Sequence, residues 1–194
     1  MSGRSNDGKT YFINSKRLGE VRFSPDHPFN PERVKRVHRM CGERGLFDSP
    51  RVAVVSVEEA EDGVLERFHT DEYVAALRRA NDGAEVDVEM LHRGIGTTEN
   101  PVFRGVYDFA ALSATASLEA ARLMIGGAAG AFNPCGGFHH AHRDRASGFC
   151  YANDIAIAID ELRRSGLRVA YVDIDAHHGD AVQEAYYDDS AVLT

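Results

Sequence analysis

The chain has 194 residues, of which 43% are hydrophobic and 27% charged, enough for one globular domain with a sizeable core. A net charge of −8 without any Lys/Arg block argues against a nucleic-acid partner, and no apolar run approaches the roughly 20 residues that a membrane span needs. The N-terminus lacks a signal-peptide pattern and the three cysteines are widely spaced, so the sequence predicts a cytoplasmic protein without a disulfide framework.

Apolar residues recur at strand or helix spacing along most of the chain. Residues 1–9 lack such a pattern and are expected to form a disordered tail. The pattern predicts strands at 10–14, 51–57, 128–133, 169–174 and 191–194, and helices at 30–45, from Thr70 onward, and at 103–125, 152–164 and 182–187. The strands are continuous apolar runs that alternate with helices, which indicates an α/β fold with a central parallel sheet covered on both faces.

Local signals mark several helix ends. Asn30 and Pro31 are typical of an N-cap and a first helical position, and Gly45 is a typical stop. Thr70 is the predicted N-cap of the next helix. The Ala-rich helix at 103–125 has apolar residues on most faces and should be largely buried.

A cluster of titratable residues follows the predicted strand at 169–174, in the stretch RVAYVDIDAHHGD. Ligands of open α/β sheets bind beyond the carboxyl ends of the strands. If the strand persists, Asp173, Asp175 and His177 share one face, where carboxylates and an imidazole are ordinary ligands of an ion such as Zn²⁺. An N-capping aspartate with solvated histidines is the simpler alternative, but so many titratable residues together favour a metal site.

A second cluster, CGGFHHAHRDRASGFCY, carries adjacent histidines between glycine-rich turns. The side chains of His139 and His140 would point in different directions in extended chain, so both serve one site only if the backbone bends. The pair alone is weak evidence, but beside the first cluster it is a candidate acid/base pair. Asp173 and Asp180 are natural partners that would fix each imidazole's tautomer.

Both clusters resemble the signature blocks of the histone deacetylase superfamily, in GGFHHAHRDRASGFCYANDIA and RVAYVDIDAHHGDAVQEAYY. HPFNPERV, FHTDEYV and IGTTENPVFRGVYDFA resemble the same family, and the overall pattern is most similar to its bacterial acetoin-utilisation proteins. The resemblance implies a three-layer arginase/deacetylase-like fold and zinc-dependent hydrolysis of N-acetyl-lysine. The expected partner is an acetylated lysine side chain of a protein, or a small acetylated amine.

The resemblance also implies a role for each clustered residue. Asp175 and His177 would be zinc ligands, His140 the general base toward the hydrolytic water, and His139 its electrostatic or acid partner. Asp173 would hydrogen-bond His139.

Further roles follow from the same resemblance. Asp180 would hydrogen-bond His140, and Gly148 and Phe149 would line a narrow tunnel for the acyl-lysine stem. Potassium is implied as a second ion, held by the Asp173 carboxylate and by backbone carbonyls of Asp175 and His177.

The sequence departs from the family pattern in three respects. Glu99 stands where the family has a rim Asp that grips the substrate backbone, and Ala181 replaces a Gly. The family's third zinc ligand, an Asp, and its oxyanion-stabilising Tyr find no counterpart here. We therefore expect residues 10–194 to be the N-terminal part of a single deacetylase domain, truncated on its C-terminal side and inactive alone.

Three other functions remain open at this point. The chain could belong to an amidohydrolase for acetylated polyamines or other small amides, or be a catalytically inactive module that binds a metal or acyl-lysine. A two-manganese ureohydrolase would need a carboxylate two residues after its histidine, where this chain has Gly179. We expect His69 and His142 to be structural or exposed rather than ligands.

Overall fold

A computed structural model describes residues 8–21, 23 and 27–194. The predicted disordered tail at 1–9 therefore lies almost entirely outside the described residues. The strands and helices are, in chain order, β1 (Thr10–Asn14), α1 (Glu32–Glu43), β2 (Val52–Ser56), α2 (Asp71–Asn81), α3 (Val88–His92), α4 (Val106–Ile125), β3 (Gly130–Phe132), α5 (Asp154–Arg164), β4 (Val169–Ala170), α6 (Asp180–Tyr186) and β5 (Val192–Leu193). None of the helices in these ranges is long and apolar enough to cross a membrane.

Every described strand pair is parallel, as predicted. β1 lies between β2 and β3, with Thr10 opposite Val52 on one side and Gly130 on the other. β4 and β5 form a separate pair, in which Val169 lies opposite Val192. Within the described ranges, the predicted central sheet thus consists of two groups of strands.

Helix α4 forms the centre of the core. Every residue from Phe109 to Leu118 is buried, which confirms the prediction from its apolar composition. Its many alanines and serines allow neighbouring helices to approach closely, and α4 packs against α2 and α5. The helix begins at Val106 rather than at residue 103, because Gly105 precedes it with a left-handed φ of 86°.

The helix-end signals are largely confirmed. The Thr70 side chain accepts a hydrogen bond from the Tyr73 N–H at the start of α2. Asn30 accepts from the Glu32 N–H, but it lies one position before the N-cap, which is Pro31. In the part of the chain that the structure describes, three short 3-10 helices and the five-residue α3 were not predicted, because such short segments carry no readable period.

The predicted strand at 169–174 is largely wrong. β4 covers only Val169–Ala170, and after Tyr171 donates its N–H to the Leu193 carbonyl the chain leaves strand conformation. Val172 is 78% exposed and Ile174 95% exposed, although their apolar character indicated a buried strand. A strand persists only where a neighbour offers paired backbone groups, and β5 offers just two residues.

Candidate active site

Four parts of the chain converge on one pocket of about 540 Å³. They are the glycine-rich loop before α5, the loop between β4 and α6, the segment leading into α1, and Glu99 in the loop between α3 and α4. The lining residues are Pro28, Phe29, Arg33, Glu99, Gly137, Phe138, His139, His140, Ser147, Gly148, Phe149, Cys150, Asp175, His177 and Asp180. The fold therefore brings both titratable clusters of the sequence together.

His139 is bonded to Asp173. Its Nδ1 lies 2.6 Å from Oδ2 of Asp173, which also accepts the Tyr171 hydroxyl hydrogen bond. Burial opposes ionisation of Asp173, but the hydrogen bonds from Tyr171, His139 and the Asp175 N–H outweigh it and lower its pKa to about 2. An ionised carboxylate only accepts, so the proton of neutral His139 sits on Nδ1 and leaves Nε2 as the free nitrogen.

His140 has the same arrangement with a different aspartate. Its Nδ1 lies 2.7 Å from Oδ1 of Asp180, which also accepts from the Ala181 N–H. Burial opposes ionisation of Asp180 as well, but the bond from His140 and the Ala181 N–H keep its pKa below the usual range. The two imidazole centroids of His139 and His140 are 4.0 Å apart. The backbone bend that the sequence analysis required is therefore present.

Asp175 and His177 meet through a different mechanism from the one expected. Since the strand ends early, they do not share a strand face. Instead the carboxylate of Asp173 accepts the Asp175 N–H, and that of Asp175 accepts the His177 N–H, so each aspartate bonds the residue two positions on. Nδ1 of His177 lies 2.9 Å from Oδ1 of Asp175, and both side chains are exposed.

The donor types of this pair suit a zinc ion. A carboxylate and an imidazole are among its preferred ligands, and Oδ2 of Asp175 and Nε2 of His177 are not used in the bond between them. A catalytic zinc site has three protein ligands, however, and the described residues contain no group of three or more His, Cys, Asp or Glu side chains placed to hold a metal. The residues present thus fit two of the three ligand positions.

Gly148 and Phe149 form a tight turn against His140. Ser147 and Cys150 exchange both backbone hydrogen bonds, and the central residues have φ of 51° and 70°. Positive φ at both positions is typical of a type I′ turn. A Cβ at Gly148 would lie 2.5 Å from Cδ2 of His140, so only glycine fits there.

Phe149 is the one described non-glycine residue with positive φ. Such a conformation costs on the order of 1–3 kcal/mol and is concentrated at functional sites. The Phe149 and His27 rings pack edge-on, with 4.7 Å between their centroids. The His27 Nε2 lies 3.0 Å from the Glu99 carbonyl oxygen. His27 thus supports two lining residues from behind, a role that sequence reasoning missed, although HPFNPERV drew attention to its segment.

The other singled-out histidines are structural. His69 is buried and bonded on both nitrogens, to the Asn153 N–H and the Arg143 carbonyl. His142 is buried beside Asp180, with 3.7 Å between its Nε2 and Oδ2. Tyr171 was not singled out, although its position two residues before Asp173 could have suggested the contact.

Comparison with known proteins identifies the class of this fold and site. The structure superposes on the crystal structure of an HDAC homolog from Aquifex aeolicus with a TM-score of 0.83 and 35% identity, over 95% of this chain and 49% of that one. A structure of an HDAC homolog complexed with SAHA matches equally well, with a TM-score of 0.83. The predicted arginase/deacetylase-like α/β fold is therefore confirmed.

Sequence comparison then gives the family. Residues 27–194 match the histone deacetylase domain. The chain is 38% identical to histone deacetylase clr6 of Schizosaccharomyces pombe over 189 residues, and 38% identical to the acetoin utilization protein AcuC of Bacillus subtilis over 185 residues. These matches cover 96% and 94% of this chain but 46% and 47% of the relatives, so the chain spans about half their length. The chain belongs to the histone deacetylase family.

Proposed function

We propose that this chain is the N-terminal part of a zinc-dependent deacetylase domain that hydrolyses N-acetyl-lysine to lysine and acetate. The observation that carries the proposal is the pair of imidazoles, each bonded through Nδ1 to an ionised aspartate, in one pocket with Asp175 and His177. Membership of the histone deacetylase family supplies the reaction class and argues against a two-manganese ureohydrolase.

The two imidazoles would divide the proton transfers. With Nδ1 occupied by Asp180, Nε2 of His140 is the nitrogen that can take a proton from the attacking water and later return it to the leaving amine. Asp180 would hold the tautomer and stabilise the imidazolium that forms. His139, backed by Asp173, would act as the electrostatic or acid partner.

Asp175 and His177 would hold the zinc ion. When bound, zinc supplies Lewis-acid polarisation of the acyl carbonyl and lowers the pKa of water to about 7. We expect the third ligand and an oxyanion donor to come from the part of the relatives' length that this chain does not span. A potassium ion near Asp173 stays a prediction.

The substrate would enter along an aromatic wall. Phe138 and Phe149 line the pocket with Gly148, and an aliphatic lysine stem needs such an apolar slot. Glu99 lines the same pocket, where its carboxylate could accept a substrate backbone N–H or attract a cationic amine. The second of these interactions favours a small acetylated amine as the alternative substrate.

The test compares substrates and variants in the full-length protein. An acetyl-lysine peptide and an acetylated diamine are each assayed for acetate release, with His140→Ala and, as control, the exposed His92→Ala. Turnover of the peptide by the wild type and by His92→Ala, but not by His140→Ala, supports the proposal. Turnover of the diamine alone would indicate that the substrates are small acetylated amines. No turnover of either compound would overturn a deacetylase function.

A further inference from the structure

The backbone on both sides of the His139–His140 pair is tied to the first residues of α5. Before the pair, the N–H groups of Gly137 and Phe138 donate to the Asp154 carboxylate, the closer of them at 2.8 Å. After the pair, the Ala141 carbonyl accepts a hydrogen bond of 3.0 Å from the Asn153 side-chain amide. Two adjacent side chains thus hold the loop at both ends of the pair.

Asp154 is placed for this task rather than for capping its own helix. Asn153 already caps α5, because its Oδ1 accepts from the Ala156 N–H. The Asp154 side chain is 1% exposed, and its oxygens accept from the loop N–H groups and from the Ser117 hydroxyl. Burial raises the pKa of the Asp154 carboxyl group, although the hydrogen bonds from Ser117 and from the two loop N–H groups act in the opposite direction.

The glycines of the loop fit the same purpose. A Cβ at Gly136 would lie 2.1 Å from Oδ2 of Asp154, so the carboxylate reaches the loop only because residue 136 is glycine. Gly137 has a φ of 99°, which side chains other than glycine rarely adopt. The glycines of Cys135-Gly136-Gly137 therefore allow the backbone to contact the buried Asp154 carboxylate, and not only to approach a substrate.

We infer that Asn153 and Asp154 are positioning residues for the acid/base pair, which fix the backbone before His139 and after His140. This inference rests on the proposed deacetylase function and adds two residues outside the pocket lining. A loop free to shift by about 1 Å would misalign both imidazoles with the reacting atoms, and such misplacement can cost about 10²-fold in rate. Of the residues proposed to line the slot for the substrate stem, Gly148 and Phe149 lie in the separate Ser147–Cys150 turn, and only Phe138 has its backbone held by Asp154.

The kinetic test uses the full-length protein with Asp154→Ala and Asn153→Asp. The second variant keeps an N-cap acceptor for α5 but loses the amide that donates to the Ala141 carbonyl, so it guards against a misfolded first variant. The control is Thr115→Val on α4, which removes a buried hydroxyl that accepts from the Glu61 N–H and donates to the Ala111 carbonyl rather than bonding to the loop. We expect kcat to fall about 10²-fold in Asp154→Ala and at least several-fold in Asn153→Asp, with KM little changed, while Thr115→Val loses stability only.

A second readout does not need activity. In protein labelled with ¹⁵N-histidine, the Nδ1–H protons bonded to Asp173 and Asp180 should give two downfield resonances. These resonances should be unchanged in Thr115→Val. They should be broadened or shifted in Asp154→Ala and in Asn153→Asp. Folded variants with unchanged resonances and unchanged kcat would overturn the inference. If the wild type lacked deacetylase turnover but the resonances responded as expected, the positioning role would stand and the proposed function alone would fail.

Discussion

At the scale of single residues, the two imidazoles of the site differ in their surroundings. The His139 side chain is 9% exposed and that of His140 18% exposed, and Asp180 is more open to solvent than Asp173. The Tyr171 hydroxyl adds a further donor on Asp173, while Asp180 has the Ala181 N–H. The more accessible His140 is the better placed of the two to exchange protons with water and substrate.

This difference predicts unequal losses on substitution. In the full-length protein, His140→Ala should lower kcat by at least about 10²-fold, which is typical for a lost general acid/base, while His139→Ala should cost less. Zinc content should be unchanged in both variants. Steady-state kinetics on an acetyl-lysine peptide would check this, and near-normal turnover in both variants would refute the assigned roles.

The proposed zinc ligands can be tested against a neighbouring histidine. His177→Ala should remove a ligand and abolish tight zinc binding by the full-length protein. His178→Ala should retain about one zinc per chain, since His178 bonds to Gln183. Metal analysis of both purified variants is the measurement, and equal zinc content in the two would exclude His177 as a ligand.

His69 predicts a pH dependence of stability that is separate from catalysis. Burial lowers its pKa to about 4, while the unfolded value is about 6.5. Because the folded pKa is the lower one, the unfolded state takes up the proton first, and the free energy of unfolding falls as pH drops from about 6.5 toward 4. Above that pH range, His69 no longer makes the free energy of unfolding depend on pH.

The check is denaturant unfolding at about pH 7 and about pH 5. His69→Gln can keep an acceptor and a donor but does not titrate, so it should lose less stability between the two conditions than the wild type, by on the order of 1–2 kcal/mol. The exposed His92→Gln serves as control and should behave as the wild type. An identical pH dependence in all three proteins would contradict the role of His69.

At the scale of elements, the turn at Ser147–Cys150 should couple backbone shape to the site. Gly148→Ala and Gly83→Ala both place alanine at positive φ, but only the first puts a Cβ against His140, whereas nothing lies within 4 Å at Gly83. Gly83→Ala should lose about 1 kcal/mol of stability through its backbone conformation alone, and Gly148→Ala should lose more because its Cβ also meets His140. Only Gly148→Ala should also lower kcat. Equal kcat values in the two variants would show that this turn does not position His140.

Elements with strong local signals were predictable and elements defined by neighbours were not. The buried helix α4 and the cap at Thr70 follow from residues close together in sequence. The failure at 169–174 has a different origin, because strand length depends on pairing that the sequence pattern does not reveal. Val172 and Ile174 look like core residues and are exposed.

The same distinction applies to the site. Its titratable residues stand out in two short blocks, so their chemistry could be anticipated from sequence. Their geometry could not, since the Asp175–His177 contact arises from carboxylates bonding backbone N–H groups rather than from a strand face. The supporting side chains Asn153 and Asp154 gave no sequence signal of their role, because long-range hydrogen bonds to a loop follow no short spacing.

At the scale of the whole molecule, the candidate site and the surface around β4 and β5 both bear on whether this polypeptide is active alone. A catalytic zinc needs three protein ligands, and the described ranges contain the two that we propose, Asp175 and His177, but no group of three or more possible ligands. Val172, Ile174 and Leu193 are all large, apolar and exposed in this region. Exposed apolar clusters of this kind favour association with another surface.

The 194-residue polypeptide on its own is therefore expected to show essentially no deacetylase turnover, even with added zinc. Losing one oxyanion donor alone typically costs about 10²–10³-fold in rate, and the lost metal ligand adds to this. The polypeptide should also self-associate in sedimentation experiments. A soluble monomer with robust, chelator-sensitive turnover would mean that a residue such as His178 or Asp180 completes the metal site.

We propose that Asp175 and His177 hold a zinc ion beside the His139–His140 pair in an enzyme that deacetylates lysine. The most direct test is acetate release from an acetyl-lysine peptide by the full-length protein, measured as isolated, after removal of metal by a chelator, and after return of one equivalent of zinc. We expect activity to disappear with the metal and to return with zinc in the wild type, but not to return in His177→Ala. Activity that survives complete metal removal, or that zinc restores fully in His177→Ala, would contradict it.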